Sequence, residues 1–175
     1  MLITILQILA GILLLFLLVA LLVKKDFSLE KQVIINRPAG EIYDYIKLIR
    51  NQEKYSVWVM KDPHIKIVYT GTDGTVGFRS AWESQDKNVG IGEQEIIHVK
   101  EGESMEVEIR FKKPFEATNR AVTSVTGISE TQSRVNSRFY GRSKFPMNIM
   151  NLFMDKLVGK DMQQNLENIK KNLEQ

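Results

Sequence analysis

The chain has 175 residues, no cysteine, two histidines and a formal net charge of +3. This length suits one domain of ordinary size. The absence of cysteine excludes disulfide frameworks, thiolate zinc sites and cysteine nucleophiles. A net charge of +3 over 24 basic and 21 acidic side chains is too weak a bias to indicate a nucleic-acid partner, and we expect none.

The first residues, Met1 to Val23, contain no charge, and only Thr4 and Gln7 are polar. As a helix this stretch is about 34 Å long at 1.5 Å per residue, enough to cross a hydrocarbon core of about 30 Å. A cleavable signal peptide is the competing interpretation. The segment lacks a basic amino-terminal region, its apolar run is too long and no Ala-x-Ala site follows, so we favour an uncleaved anchor.

Two lysines, Lys24 and Lys25, follow this stretch directly. The positive-inside rule then places the remainder in the cytoplasm, as the soluble part of a single-pass membrane protein. No repeat or second linker interrupts that remainder. The sequence therefore predicts an anchor over residues 1–25, in contact with the membrane through residues 1–23, and one domain over residues 26–175.

The domain opens with strand-like residues from Phe27 to Asn36, rich in Val and Ile. Pro38 and Glu41 then mark a helix start, since proline is favoured in the first turn and an acid near the helix N-terminus. One apolar face follows at helical spacing, formed by Ile42, Tyr45, Ile46 and Ile49. A second short helix or turn is expected over residues 50–54.

Beyond Pro63 the apolar period changes to two, which indicates strands. The predicted strands are HIKIVYTG, VGFRSAWES, VGIGEQEIIHVK, SMEVEIRFK, an irregular one from Phe115 to Thr126, and TQSRVNSRFYG. Short polar or glycine-containing turns separate most of them, which is typical of a meandering antiparallel sheet. In SMEVEIRF one face is apolar and should point inward, at Met105, Val107, Ile109 and Phe111.

The chain closes with a predicted long helix from about Pro146, whose apolar stripe comprises Met150, Met154, Val158, Met162, Leu166, Ile169 and Leu173. Gly159 interrupts the pattern at a cost of about 1 kcal/mol relative to alanine, which close approach of another backbone would offset. Strands and helices in this order predict an α+β domain in which a curved antiparallel sheet of six or seven strands wraps around the last helix.

This order of elements, with these residues, resembles the SRPBCC superfamily, also called START-like or helix-grip, and within it the polyketide cyclase/dehydrase-like group. The blocks that carry the resemblance include VIINRPAGEIYDYI, GTDGTVGFRSAWES, VGIGEQEI, FKKPFEATN and FPMNIMNLFMDKLVGKD. The resemblance implies a cavity between the sheet and the last helix, and it implies no reaction. Asn136 departs from it, since a bulky aromatic is expected there, and this predicts an altered cavity.

Sequence motifs for cofactors are weak. Gly71, Gly74 and Gly77 run into a strand, whereas a phosphate site needs a helix N-terminus, so we interpret them as turn glycines. His64 and His98 are the only imidazoles and form no metal-binding cluster with other ligands. We expect no metal and no cofactor.

Glu93 and Glu95 are the only candidate catalytic groups, and they point to the same side of one strand. Inward they would be paired cavity carboxylates for acid–base work, but we favour the outward orientation because buried unpaired carboxylates are rare. The candidate ligand-binding residues are apolar ones with inward parity or on the last helix: Trp58, Phe78, Trp82, Val107, Ile109, Phe139, Met150, Phe153, Met154 and Leu157.

Basic side chains have two candidate roles. Arg79, Arg120 or Arg138 would supply a polar anchor if one of them faces inward. Solvation is the commoner role of such residues, but contact with anionic headgroups is the alternative for Lys112, Lys113, Arg134, Arg138, Arg142 and Lys144. Three hypotheses follow: a membrane-anchored protein that binds a hydrophobic small molecule or lipid, a cyclase-like or hydrolytic enzyme using a cavity carboxylate, and a tethered interaction or stress-related protein with a vestigial cavity.

Overall fold

The computed structural model describes residues 1–175 as an apolar helix, an antiparallel sheet and a helical layer on one face of that sheet. The strands are β1 (Asp26–Ile35), β2 (Lys66–Thr70), β3 (Arg79–Glu83), β4 (Ile91–Lys100), β5 (Ser104–Lys113), β6 (Ala117–Ser129) and β7 (Gln132–Arg142). The helices are α1 (Leu2–Leu22), α2 (Ala39–Ile46), α3 (Gln52–Tyr55), α4 (Val57–Met60) and α5 (Lys160–Glu174). The predicted α+β helix-grip architecture is confirmed.

The seven strands form one antiparallel sheet in the order β1-β7-β6-β5-β4-β3-β2. Every neighbouring pair except β1 and β7 is consecutive in the chain, as in the predicted meander. We call the end of the sheet at which β1 begins the proximal end, because α1 connects there. The connections β3–β4, β5–β6 and β7 to the last helical segments lie at this end, and the other hairpins lie at the distal end.

Side chains alternate between the two faces of the sheet. On β5, Met105 and Val107 are buried beneath the helical layer, while Glu106, Glu108 and Arg110 lie on the outer face. The segment predicted as irregular is instead a continuous strand of 13 residues, β6, whose register with β7 shifts only near its end, between Gly127 and Ser129. Its inward side chains include Ala121 and Thr123, whose small or polar character hides the period of two in the sequence.

Helix α5 crosses the inner face from the proximal to the distal end. Met162, Leu166 and Ile169 are its buried residues, and the last two join the main core cluster with side chains of β1, α2 and β7. At the distal end Arg37 Nε donates to Leu173 O at 2.6 Å, and Asn36 N donates to Glu174 Oε1 at 2.6 Å. Of the apolar stripe predicted from Pro146 onward, Met162, Leu166 and Ile169 are buried, Met154, Val158 and Leu173 are half-buried, and Met150 is exposed.

The predicted long helix is not regular from Pro146. Residues Met147–Phe153 form a 3₁₀ segment and Asp155–Gly159 a π segment, so α-helical geometry begins only at Lys160. At Gly159 the close neighbours are side chains, not another backbone. A Cβ there would lie 2.4 Å from Asp155 Oδ1 and 3.0 Å from Lys31 Cε, within an ion pair whose Nζ and Oδ1 are 2.7 Å apart.

The glycine run of the β2–β3 connection has the predicted structural role. Gly71, Gly74 and Gly77 adopt φ angles of 92°, 79° and 89°, which favour glycine. Between them the Asp73 carboxylate accepts hydrogen bonds from the backbone N–H groups of Ile49 and Arg50 at 2.8 and 3.0 Å. The loop therefore supplies a carboxylate that accepts hydrogen bonds from a short 3₁₀ helix (Ile49–Asn51). A phosphate-binding loop would instead donate its own backbone N–H groups to a bound anion.

Helix α1 extends from the domain with nearly all its side chains exposed. It has 21 residues with a mean hydropathy of 3.0, long and apolar enough to cross a membrane. Length and composition alone do not separate such a helix from a signal sequence near an N-terminus. Only Ala20 is buried, at the point where the helix meets the domain.

Candidate functional site

A cavity of about 370 Å³ lies between the inner face of the sheet and the helical layer. It is lined by 29 residues, of which 20 are hydrophobic. Strands β2 to β7 form one wall, and α3, α4, the π segment and α5 form the other. The alternation of the strands explains this composition, because each contributes its apolar parity to the same side.

Six of the ten predicted ligand-binding residues line this cavity: Trp58, Trp82, Val107, Ile109, Phe139 and Leu157. Their contact with a ligand remains a prediction. Phe78 lies outside the lining, buried in a core cluster with its ring centroid 5.9 Å from that of Tyr69. Met150, Phe153 and Met154 also lie outside it, because the 3₁₀ and π windings rotate these side chains away from the register of an ideal α-helix.

Trp82 forms part of the cavity wall, and Gly92 provides the space for it. The two residues face each other on β3 and β4, and a Cβ at Gly92 would lie 2.5 Å from Cζ2 of the indole. The indole Nε1 donates to Val89 O at 3.3 Å, and the ring meets Phe111 edge-on with centroids 5.9 Å apart. The second tryptophan of the chain, Trp58, lines the cavity from α4.

Polar groups are few in the cavity, and the sequence interpretation missed them. Gln52 on α3 and Gln94 on β4 form a reciprocal amide pair, with N–O distances of 2.6 and 3.3 Å. Asn165 on α5 accepts a hydrogen bond from Val57 N at 2.8 Å. Strand alternation could have identified Gln94 as an inward-facing residue. It lies between the outward Glu93 and Glu95 and on the same side of β4 as the buried Ile96.

Two phenols also line the cavity. Burial raises the pKa of Tyr55 well above the ordinary tyrosine value. Burial, followed by a hydrogen bond to Glu53, likewise raises the pKa of Tyr69. Both phenols are therefore protonated at neutral pH, and Tyr69 donates a hydrogen bond to Glu53 rather than serving as a base.

Glu93 and Glu95 point to the outer face of the sheet, away from the cavity, in the orientation favoured from the sequence. Their oxygens lie 2.8 and 2.6 Å from the guanidinium of Arg110. These hydrogen bonds hold the pKa of both carboxyls below the ordinary glutamate value, against an opposing effect of burial. The pair is therefore ionised at neutral pH and is placed for structure rather than for chemistry in the cavity.

The arginines suggested as polar anchors lie on the same outer face. Arg79 pairs with Glu95 at 3.2 Å, Arg120 with Glu106 at 3.7 Å, and Arg138 donates to Ser28 Oγ at 2.9 Å. Asn136 also points outward and donates to Glu30, so the cavity alteration predicted there is wrong. Strand parity explains the correction, because the cavity-lining residues of β7 are its neighbours Ser137 and Phe139.

A sheet curved around a C-terminal helix over an internal cavity defines the helix-grip class of proteins. The profile of the family described as "Polyketide cyclase / dehydrase and lipid transport" matches residues 26–174, and the chain belongs to this family of the SRPBCC superfamily. The matched region excludes α1 and includes every strand. A search of curated protein sequences gives no significant match.

Solved structures show the same fold at low sequence identity. Norcoclaurine synthase from Thalictrum flavum, in complex with dopamine and hydroxybenzaldehyde, superposes with a TM-score of 0.64 at 11% identity, covering 85% of this chain and 86% of that one. Protein MLL2253 from Mesorhizobium loti gives 0.59 at 12% identity, with coverages of 84% and 96%. The di-domain ARO/CYC protein BexL from the BE-7585A biosynthetic pathway gives 0.60 at 16% identity, covering 84% of this chain and 46% of that one.

Proposed function

We propose that this protein is a membrane-anchored binding protein that holds a hydrophobic small molecule or a lipid in the cavity between the sheet and α5, without catalysing a reaction on it. Residues 1–25 serve as the anchor and residues 26–175 as the binding domain. The observation that carries the proposal is the apolar lining of the cavity, 20 hydrophobic residues out of 29.

The size of the cavity limits the ligand class. A volume of about 370 Å³ is at the lower end of the range of about 300–1,000 Å³ for small-molecule sites. The ligand is therefore a single acyl chain or a compact ring system rather than a two-chain lipid held entirely inside. The Gln52–Gln94 pair offers amide donors and acceptors to one polar group of such a ligand.

Anchoring and ligand class support each other. Helix α1 has the length and composition of a membrane span, and Lys24 and Lys25 follow it. Apolar ligands concentrate in the bilayer, so a tethered cavity remains close to its ligand reservoir. The positive-inside rule favours a cytoplasmic position for the domain.

The enzyme alternative, as predicted from the sequence, requires Glu93 or Glu95 as a cavity carboxylate. Both residues lie on the outer face of the sheet, so they do not support it. The family description includes cyclases and dehydrases, and norcoclaurine synthase shares the fold, but the likeness in fold carries no reaction. The remaining carboxylate at the cavity is Glu53, which accepts a hydrogen bond from Tyr69.

The vestigial-cavity alternative predicts a packed interior. A cavity of about 370 Å³ does not support that prediction.

Fluorescence provides the test, because both tryptophans of the chain line the cavity. We expect energy transfer from Trp58 and Trp82 to the polyene fatty acid cis-parinaric acid in the full chain solubilised in detergent. Ala121→Phe, on the cavity wall of β6, should abolish this transfer. The matched control is Val122→Phe, the next residue of the same strand on the opposite face, and it should retain the transfer.

Native mass spectrometry of the same samples gives an independent measurement. The wild type and Val122→Phe should retain a bound apolar molecule that Ala121→Phe lacks. Equal transfer in all three proteins would mean that the fatty acid sits in the detergent micelle, and the absence of any bound molecule would contradict the proposal.

A further inference from the structure

We infer that the protein has a second membrane contact besides α1: a surface at the proximal end of the sheet that docks onto an anionic lipid bilayer and turns the cavity toward it. This surface, the proximal rim, consists of the end of β5 with the start of the following loop (Lys112–Phe115) and the segment Phe145–Phe153. The inference rests on the proposed anchoring by α1, because it takes the end of α1 as the level of the bilayer surface.

The rim segment is attached to the end of α1 by hydrogen bonds. The Asn148 side chain is fully buried, and its Nδ2 donates to Ala20 O at 2.6 Å and to Val23 O at 2.8 Å. Asn151 Nδ2 donates to Lys24 O and Lys25 O at 3.0 Å each. The two bonds from Asn148 satisfy carbonyls that the C-terminus of a helix leaves unpaired. They also hold the segment at the depth where α1 leaves the bilayer.

Large apolar side chains are exposed on this surface. Leu152 is 61% and Phe115 72% exposed, and three more of the rim are between 43% and 49% exposed, namely Phe145, Met147 and Phe153. Phe115 comes from a different part of the chain, but its loop also lies at the proximal end of the sheet. Aromatic and aliphatic side chains at this level are typical of segments that enter the headgroup region by about 5–10 Å.

Positive charge surrounds these apolar side chains. Lys24, Lys25, Lys113 and Lys144 are exposed and have no acidic side chain within 4.0 Å. Of the acidic residues nearby, Asp26 pairs with Arg142 at 2.8 Å and Asp155 with Lys31 at 2.7 Å, whereas the exposed Glu116, which follows Phe115, offsets one of the four lysines and leaves the balance positive. Free lysines beside exposed aromatics match a bilayer that carries anionic headgroups, which attract basic side chains near the membrane surface. By contrast Arg134 lies near the distal end, where β7 begins.

The rim adjoins the cavity. Three cavity-lining residues are exposed, Glu53, Asn88 and Leu157, and two of them belong to proximal elements: Asn88 to the β3–β4 connection, Leu157 to the π segment after the rim. Docking of the rim would place this opening against the headgroup region. An apolar ligand would then pass between bilayer and cavity with little exposure to water.

The absence of native cysteine allows a direct test on the full chain. Single-cysteine variants at Leu152, Phe115 and, as a matched exposed apolar control, Val76 in the distal β2–β3 connection are labelled with the fluorophore NBD. A fourth label at Leu13 reports on α1. Each protein is reconstituted into vesicles of phosphatidylcholine and phosphatidylserine, and quenching by brominated lipid is measured.

We expect strong quenching and a blue-shifted emission for labels at Leu152 and Phe115, and neither for Val76. Lys113→Glu combined with Lys144→Glu should reduce rim quenching at least twofold without changing the Leu13 signal. Quenching at Leu13 with rim labels that behave like Val76 overturns the rim inference and leaves the anchor intact. An unquenched Leu13 label overturns the proposed anchoring itself, so the two failures are distinguishable.

Discussion

The guanidinium of Arg110 lies 2.6 Å from Glu95 and 2.8 Å from Glu93, on the face of the sheet opposite the cavity. A third carboxylate, Glu108, accepts from Arg110 Nε at 2.9 Å. The contacts with Glu93 and Glu95 join β4 to β5 across the middle of the sheet, whereas Glu108 lies on the same strand as Arg110. The two glutamates that resemble a catalytic pair in the sequence therefore have a structural role.

This arrangement predicts acid sensitivity. The hydrogen bonds from Arg110 hold the pKa of Glu93 and Glu95 below the ordinary glutamate value in the folded chain, so protons bind more readily to the unfolded chain. Their contribution to stability is therefore fully present above about pH 4.3 and is lost as the pH falls through the lowered pKa values. Thermal unfolding followed by circular dichroism between neutral and acidic pH measures this loss.

Arg110→Gln should weaken both effects. We expect the free energy of unfolding at neutral pH to fall by about 1–2 kcal/mol, allowing for partial exposure of the pairs. The acid-dependent loss should also become shallower, because the cation that lowers both pKa values is gone. Arg134→Gln, an exposed arginine without an ion pair, is the control and should leave the pH profile unchanged. An unchanged profile in Arg110→Gln would contradict the assignment.

Much of the fold was predictable because strong periodicity reports burial directly. In SMEVEIRF the alternation predicts which residues of β5 face inward, and the structure agrees at Met105 and Val107. The same rule failed for β6, where inward positions carry Ala121 and Thr123 and the apolar contrast is too small. It also failed after Pro146, where 3₁₀ and π windings replace the period of an α-helix.

The candidate site was only partly predictable, for a different reason. Aromatic residues such as Trp82 can be placed from strand parity alone. The polar lining depends on pairing between distant segments, as in Gln52 of α3 and Gln94 of β4, and no local pattern reports it. The bonds from Asn148 to the end of α1 join positions 128 and 125 residues apart and are equally invisible in the sequence.

Gly92→Ala should disturb the cavity wall. The added methyl would lie 2.5 Å from Cζ2 of Trp82 and 2.7 Å from Arg110 O, so the indole must move. We expect a loss of about 1–3 kcal/mol in stability, a shifted tryptophan emission and weaker fatty-acid binding. Gly40→Ala is the matched control, since nothing lies within 4 Å of its added methyl in α2. A neutral Gly92→Ala would argue against a fixed Trp82.

Asn148→Leu should loosen the junction between α1 and the domain. The substitution keeps the approximate volume but removes two donors and leaves the carbonyls of Ala20 and Val23 without them. Because Asn148 is fully buried, we expect a loss of about 1–3 kcal/mol in thermal unfolding of the full chain in nanodiscs. Asn151→Leu, whose partner carbonyls lie in an exposed region, should cost less, because water can replace its bonds. Equal losses in the two variants would contradict a buried cap at this junction.

Comparing removal of one member of the Gln52–Gln94 pair with removal of both should distinguish the pair's effect on stability from its effect on ligand binding. Gln94→Leu leaves the Gln52 amide without its partner in a mostly apolar cavity, so we expect a loss of about 1–3 kcal/mol. The double variant Gln52→Leu/Gln94→Leu removes both polar groups and should recover most of that stability. If the amide pair receives the polar group of the ligand, the double variant should bind cis-parinaric acid more weakly than the wild type although its cavity is more apolar. Tighter binding by the double variant would mean that the pair only maintains the fold and that the acyl chain alone determines affinity.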